Sequence, residues 1–366
     1  MHTILSKLGR HRHQLLRRAE ARVPEQMRLR TVEQLRSCLQ TAIELEHATI
    51  PVYLTALYSI RPGTNDDAAQ ILRSVVMEEM LHLILAANVL NAIGGRPQVN
   101  KPEFVPTYPT YLPHSDDAFL IPLARFSPSA VHTFLSIEKP KPHNARPEAT
   151  GYDTIGQFYE AIELGLIDLA AEGNLFTGDP HHQITPEFYY GGGGEVVVVG
   201  QDPTEAPLDA ALRALREIVG QGEGVSDTVW DGDEVEFGQE VEPAHYFRFN
   251  QIHAGRFYQE GDTPTSGPTG RPLSVDWSGV FPMRANPKLA DLIPHSGAWQ
   301  ISKQFNEAYS RLLDVIHVAL NGRPRHLLES VPRMYELKYL ATALMQVPLP
   351  DSDETAGPSF EFTGHR

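Results

Sequence analysis

The sequence predicts a mainly α-helical protein organised around a four-helix bundle, with additional C-terminal helices and long loops. Several stretches of the 366-residue chain repeat apolar residues every three or four positions, which is the spacing of an amphipathic helix. Two of these stretches are joined only by the short turn at residues 61–66, so they should pack antiparallel. A second pair of helices follows after a long connection, which is a common bundle topology.

The first predicted helix covers residues 31–58 and the second covers about 68–92. Gly94 and Gly95 follow the second helix, where glycine commonly ends a helix. Pro51 lies within the first helix and should free a carbonyl one turn back, which predicts a bend. The apolar face of the first helix is formed by Leu35, Leu39, Ala42, Ile50, Tyr53 and Leu57.

The rest of the chain alternates between proline- or glycine-rich connections and periodic segments. Residues 97–150 contain many prolines and are expected to form a long ordered connection rather than a helix. Thr154 is expected to cap a third helix that stops at Gly173, and residues 261–297 form another predicted loop. The remaining predicted elements are a short strand at 195–199, a short helix at 209–224, a fourth long helix at 244–259, and two final helices at 299–320 and 326–346.

These elements suggest one helical domain at residues 31–350, with insertions at 97–150 and 176–235 and a tail at 351–366. Residues 1–30 carry an excess of arginine and lysine. We interpret them as a basic arm that is either solvated or used for contacts in an oligomer, so a homo-oligomer is left open.

The overall charge limits the classes of partner. A formal net charge of -15 disfavours nucleic acid and anionic membranes, which bind basic surfaces. The apolar runs are shorter than the roughly 20 residues of a membrane helix, so no membrane anchor is expected. The single cysteine, Cys38, cannot form an internal disulfide, which predicts a cytoplasmic protein. A small-molecule partner is the natural expectation.

The apolar stretch at residues 74–95 contains Glu78, Glu79 and His82. Because a helix turns about 100° per residue, Glu79 and His82 share one face and can bind the same ion. Glu78 points elsewhere and is interpreted as a supporting or exposed residue. A buried carboxylate needs a compensating charge, and a metal ion supplies one.

Other helices offer similar groups. In the first helix Glu46 lies on the apolar face, whereas Glu44 points away from it. In the third helix Glu163 is the preferred inward carboxylate and Glu160 is its competitor.

The segment around residue 244 repeats the Glu-x-x-His spacing. Glu242 and His245 form this second pair, although Pro243 lies between them and places Glu242 at a helix start. Glu240 is the alternative ligand to Glu242.

The combined set is one glutamate from each of two helices and one Glu-x-x-His from each of two others. This is the ligand arrangement of ferritin-like di-iron and di-manganese proteins. Mixed oxygen and nitrogen ligands suit iron, with manganese as the alternative. The predicted metal ligands are Glu46, Glu79, His82, Glu163, Glu242 and His245.

Five segments together resemble the ferritin-like family of iminophenyl-pyruvate dimer synthase, which is related to chromopyrrolate synthase. They lie at residues 42–60, 75–95, 154–163, 218–224 and 244–249. The resemblance covers roughly residues 31–350 and implies a ferritin-like helical core. It also implies, for some members, oxidative coupling of imines derived from aromatic amino acids.

The resulting hypothesis is a non-haem dinuclear-metal oxidase or oxygenase that uses O2 and a small, aromatic, amino-acid-derived substrate. Two alternatives stand beside it: a metal-binding or storage protein without an organic substrate, and a metal-free scaffold whose carboxylates are paired with arginines. The long predicted loops favour the enzyme, because a storage protein does not need them to shape a pocket.

Overall fold

The computed structural model describes residues 28–142, 145–190, 195–224, 228–232, 242–350 and 352–364. Most of the predicted basic arm, residues 1–27, lies outside this part of the chain. The described residues form α-helices, short 3-10 helices and only isolated β-bridges. The α-helices are α1 Val32–Ser59, α2 Asp66–Ala92, α3 Pro128–Ile137, α4 Ile155–Glu172, α5 Pro207–Glu223, α6 His245–Ala254, α7 Gly297–Leu320 and α8 Ser330–Leu344.

Four helices form the bundle: α1 packs on α2, α2 on α5, α5 on α4, and α4 on α1. Thr31 caps α1 by accepting a hydrogen bond from the Gln34 amide, while the Gln34 side chain accepts one from the Thr31 amide. The helix continues through Pro51. By length and composition α2 could cross a membrane, but 83% of its most apolar window is buried inside the protein. It is therefore the core helix of the bundle.

The fourth helix of the bundle differs from the predicted one. The sequence pattern assigned this place to residues 244–259, but α6 ends at Ala254, where Gly255 adopts a left-handed conformation with φ of 69°. Residues 207–223 instead supply the fourth helix, α5. The short helix α6 packs against α3, α5 and α2. It is not one of the four bundle helices, but its first residue, His245, contacts the bundle.

The expectation of a non-helical connection at 97–150 was wrong, because this segment contains α3. Ser127 caps that helix by accepting a hydrogen bond from the Ala130 amide, and Pro128 occupies its first turn. Proline is tolerated there because the first amides of a helix have no partner within the helix. Val131, Phe134 and Ile137 are spaced to bury one side of α3, a pattern obscured by the surrounding prolines.

The predicted strand at 195–199 was also wrong. This segment is irregular and its valines are largely buried. Its backbone groups bind side-chain amides rather than a neighbouring strand: the Val199 amide donates to Gln183, and Asn88 donates to the Val197 carbonyl. The final helices, α7 and α8, pack together and cover the outer faces of α1 and α2.

Candidate metal centre

Five buried residues from four segments meet inside the protein. Glu46 comes from α1, Glu79 and His82 come from α2, Glu138 follows the last residue of α3, and His245 is the first residue of α6. Each is at most 5% exposed. We call this group the centre.

The two histidines face the carboxylates through the same ring atom. His82 Nδ1 lies 3.3 Å from Glu46 Oε2 and 4.0 Å from Glu79 Oε1. His245 Nδ1 lies 3.0 Å from Glu79 Oε1 and 3.7 Å from Glu138 Oε2. The imidazole rings are stacked with centroids 5.2 Å apart. Glu79 therefore lies between two half-sites, one with Glu46 and His82 and the other with Glu138 and His245.

The opposite nitrogen of each ring is held in place. His82 Nε2 lies 2.9 Å from Gln221 Oε1, and His245 Nε2 lies 2.9 Å from Glu78 Oε2. Because both partners accept, Nε2 of each ring donates, and Nδ1 is the nitrogen that can bind a metal once it carries no proton. Such partners commonly fix the orientation of metal-binding histidines. Glu78 is itself bound by Arg248 at 2.7 Å, so it supports the centre without joining it.

Each of the three central carboxylates is fixed by one hydroxyl group. Tyr159 donates to Glu46 Oε1, Tyr53 donates to Glu138 Oε1, and Thr49 donates to Glu79 Oε2 at 2.7 Å. In every case the other oxygen faces a histidine Nδ1. Within the described part of the chain, no arginine or lysine forms an ion pair with these three carboxylates. The metal-free scaffold hypothesis required such pairs.

Burial and the repulsion of neighbouring carboxylates favour the protonated forms of Glu46 and Glu79 when no metal is present. Burial raises the pKa of Glu46 to about 8, and Tyr159 only partly offsets this increase. Burial and the nearby Glu138 raise the pKa of Glu79 to about 7. Both groups therefore have to lose protons in order to bind a metal at neutral pH.

The supporting residue Glu78 behaves in the opposite way. Burial alone would raise its pKa, but Arg248 and His245 outweigh burial and lower the pKa to about 2. Glu78 is therefore a permanent anion.

The two histidines also differ. Burial lowers the pKa of His82. It would do the same for His245, but Glu138, Glu78 and Glu79 outweigh it and raise the pKa of His245 well above the ordinary value. The half-site of His245 therefore holds a positive charge beside its carboxylates in the absence of metal.

The donor groups fit a divalent metal. His245 Nδ1 is buried and faces carboxylate oxygens of Glu79 at 3.0 Å and of Glu138 at 3.7 Å. Donor atoms of Glu79, His82 and His245 all lie within 4.8 Å of one another. Three carboxylates with two imidazoles suit iron or manganese. A cation would take the place of the proton on His245 Nδ1 and offset the cost of burying the carboxylate charges.

The structure brings together four of the six predicted ligands: Glu46, Glu79, His82 and His245. It places Glu242 elsewhere, 3.2 Å from Arg248 with its side chain 51% exposed. Glu242 precedes α6, so the regular helical spacing to His245 is not formed and this expectation is corrected. The alternative Glu240 lies outside the described residues.

The two α4 carboxylates differ in their surroundings. Glu163 is buried one turn after Tyr159. Like Glu46 and Glu138, it is outside the closest group of donor atoms, which is Glu79, His82 and His245, so its role as a ligand stays a prediction. Its competitor Glu160 is paired with Lys141 at 2.9 Å. Helix α4 also supplies the hydroxyl of Tyr159, which donates to Glu46.

Glu138 was not predicted, because it lies in the connection that was expected to lack a helix. A sequence signal was nevertheless present: Ser127 and Pro128 indicate a helix start, and the apolar spacing of Val131 and Phe134 indicates a buried face. Glu138 immediately follows that helix. No local pattern, however, indicates that it approaches His245.

Comparisons with known proteins agree with this architecture. The chain is 27% identical to dichlorochromopyrrolate synthase from Lentzea aerocolonigenes in an alignment of 332 positions that covers 80% of this chain. It spans 29% of the length of that relative. A crystal structure of a ferritin-like protein from Caulobacter vibrioides superposes with a TM-score of 0.62 at 24% identity, covering 86% of this chain and 96% of that one.

These similarities and the helical architecture confirm the predicted fold class. A family profile described as ferritin-like matches residues 39–254, more than half of the sequence. The match begins within α1 and includes α2 to α6 and all five residues of the centre. The chain belongs to the ferritin-like family.

Proposed function

We propose that this protein is a non-haem dinuclear-metal oxidase or oxygenase. The proposed ligands are Glu46, Glu79, His82, Glu138 and His245, and the proposed metal is iron, with manganese as the alternative. The observation that carries the proposal is the shared orientation of the two histidines. Both direct Nδ1 towards buried carboxylates that have no arginine or lysine partner among the described residues, while Nε2 is held from behind.

When bound, two redox-active metal ions supply electrons for the reduction of O2. The protein holds the carboxylates in position through Tyr159, Tyr53 and Thr49. Each hydroxyl donates to one oxygen of its carboxylate. The other oxygen of that carboxylate remains directed towards a histidine Nδ1. Tyr53 also packs against Phe134 and Phe249, with ring centroids 5.0 Å and 5.1 Å away. These rings exclude water from the side of the centre near Glu138.

The proposed substrate is a small, aromatic, amino-acid-derived metabolite, and the proposed reaction is an oxidative coupling of its imine. The similarity to dichlorochromopyrrolate synthase supports a biosynthetic role. The acidic character of the chain, with net charge -15, agrees with a small-molecule partner rather than nucleic acid. A cytoplasmic location remains a prediction from the single cysteine.

Metal analysis provides the first test. Protein purified with iron supplied should contain about two iron ions per chain. The double substitution Glu79→Ala and His82→Ala should reduce this to less than about half an equivalent, because both proposed half-sites use Glu79. Metal content that is equally low in the unaltered protein would refute the dinuclear centre. Glu163→Gln tests the remaining predicted ligand, and unchanged iron content would exclude it.

Oxygen consumption provides the second test and distinguishes an enzyme from a storage protein. The iron-loaded protein should consume O2 when imines of aromatic amino acids are generated in the same solution, and the Glu79→Ala/His82→Ala variant should not. Glu242→Gln serves as the matched control, since this exposed carboxylate lies outside the centre. Uptake of many iron ions per chain without substrate-dependent O2 consumption would support storage instead.

A further inference from the structure

A cavity lies on the other side of α1 and α2 from the centre. Its volume is about 630 Å³, and its walls come mainly from these two helices and from α7 and α8. Its lining includes His47, Met80 and Leu83, each of which directly follows a proposed metal ligand in sequence. Consecutive helical residues point about 100° apart, so the two helices separate the cavity from the centre. Its size lies within the range of ligand pockets.

The cavity is long and its walls are apolar. Its lining on α1 extends from His47 to Tyr58, roughly 17 Å at the helical rise of about 1.5 Å per residue. Leucine, isoleucine and methionine side chains predominate along this length, including Leu54, Leu313 and Met334. Methionine adapts readily to flexible apolar partners. A long, flexible hydrocarbon chain fits these walls better than a compact polar molecule.

The rim of the cavity is cationic. Arg73 on α2 and Lys338 on α8 both line it and are exposed, and neither forms an ion pair within the described ranges. Arg61 is a third cation at the rim, stacked over the Phe281 ring at 4.4 Å. Asp66 is the one acidic residue among the described residues of the lining. A positive rim in a chain of net charge -15 favours an anionic head group.

We propose that this cavity binds a long-chain alkyl carboxylate. The hydrocarbon chain lies between the α1–α2 pair and the α7–α8 pair, and the carboxylate is bound by Arg73 and Lys338. This site is separate from the centre and does not depend on the proposed oxidase activity, so either proposal can fail without the other.

Fluorescence titration with cis-parinaric acid, a long-chain polyene carboxylate, tests the proposal on the full chain as purified. We expect saturable binding of one molecule per chain. The charge reversals Arg73→Glu and Lys338→Glu together should weaken binding about tenfold, because each partly exposed ion pair contributes modestly. The matched control Arg96→Glu and Lys101→Glu changes two exposed cations outside the lining and should leave binding unchanged.

A second variant tests the position of the hydrocarbon chain. Ala69 lines the cavity and is partly buried, so Ala69→Phe should fill part of the space and abolish binding while the circular dichroism spectrum and Tm are retained. Dodecanol should compete much less well than dodecanoate, since it lacks the charge. Absence of saturable binding, equal loss in the control variant, or equal competition by the alcohol would overturn the proposal. A dimer that blocks probe binding by covering this face would do the same.

Discussion

Replacing Glu138 by glutamine should remove most of the metal affinity of the centre. Glutamine keeps the size of the side chain and can still accept a hydrogen bond from Tyr53, so the fold should persist. The substitution removes one negative charge. Glu138 Oε2 lies 3.7 Å from His245 Nδ1. We use this distance for the interaction between the Glu138 charge and a positive charge in the half-site.

At that distance one unit charge is worth about 4 kcal/mol with an effective dielectric constant of about 20. This corresponds to roughly a thousandfold change in the binding constant for each unit of metal charge. Glu242→Gln is the matched comparison, because the sequence pattern favoured Glu242 whereas the structure pairs it with Arg248 at the surface. An exposed pair contributes at most about 1 kcal/mol, so this variant should change affinity less than about fivefold.

The assay is competition with a chromogenic chelator, combined with iron analysis after desalting. Glu138→Gln should release its iron to chelator concentrations that leave the unaltered protein and Glu242→Gln loaded. The reasoning would be refuted if Glu242→Gln lost iron while Glu138→Gln retained it. Circular dichroism of both variants verifies that any loss reflects the site rather than the fold.

Three further predictions concern groups around the centre. Without metal, the raised pKa values of Glu46 and Glu79 contribute stability below about pH 4.5 that is lost as pH rises through 7 and 8, by about 1.4 kcal/mol per pH unit for each retained proton. The free energy of unfolding of chelator-treated protein, measured with denaturant, should be lower at pH 8 than at pH 5. The decrease should be smaller in Glu46→Gln, and an equal decrease in the two proteins would contradict the prediction. Gln221→Leu removes the acceptor for His82 Nε2 and should weaken iron binding about 10- to 100-fold in chelator competition. Unchanged iron affinity would count against the proposal that Gln221 orients the His82 ring. Tyr159→Phe should raise the pKa of Glu46, because the donated hydrogen bond lowers it, and iron loading should require a higher pH; an unchanged loading profile would count against this role.

The sequence was sufficient where the relevant pattern lies within one helix. The apolar periodicity and the Thr31 cap predicted α1, and glycine and apolar spacing predicted α2. The same periodicity showed that Glu46, Glu79 and His82 point inward, because helical geometry fixes relative directions over a few residues. It also indicated that Glu78 faces away from its neighbour Glu79.

Only the tertiary structure decided which distant groups complete the centre. Helical periodicity gives the direction of a side chain, but it does not determine which segment packs opposite. Only the tertiary contacts show that α5 replaces the expected fourth helix. They also show that Glu138, rather than Glu242, faces His245. The physical reason is that α6 begins at His245, which leaves Glu242 outside the helix and in contact with Arg248.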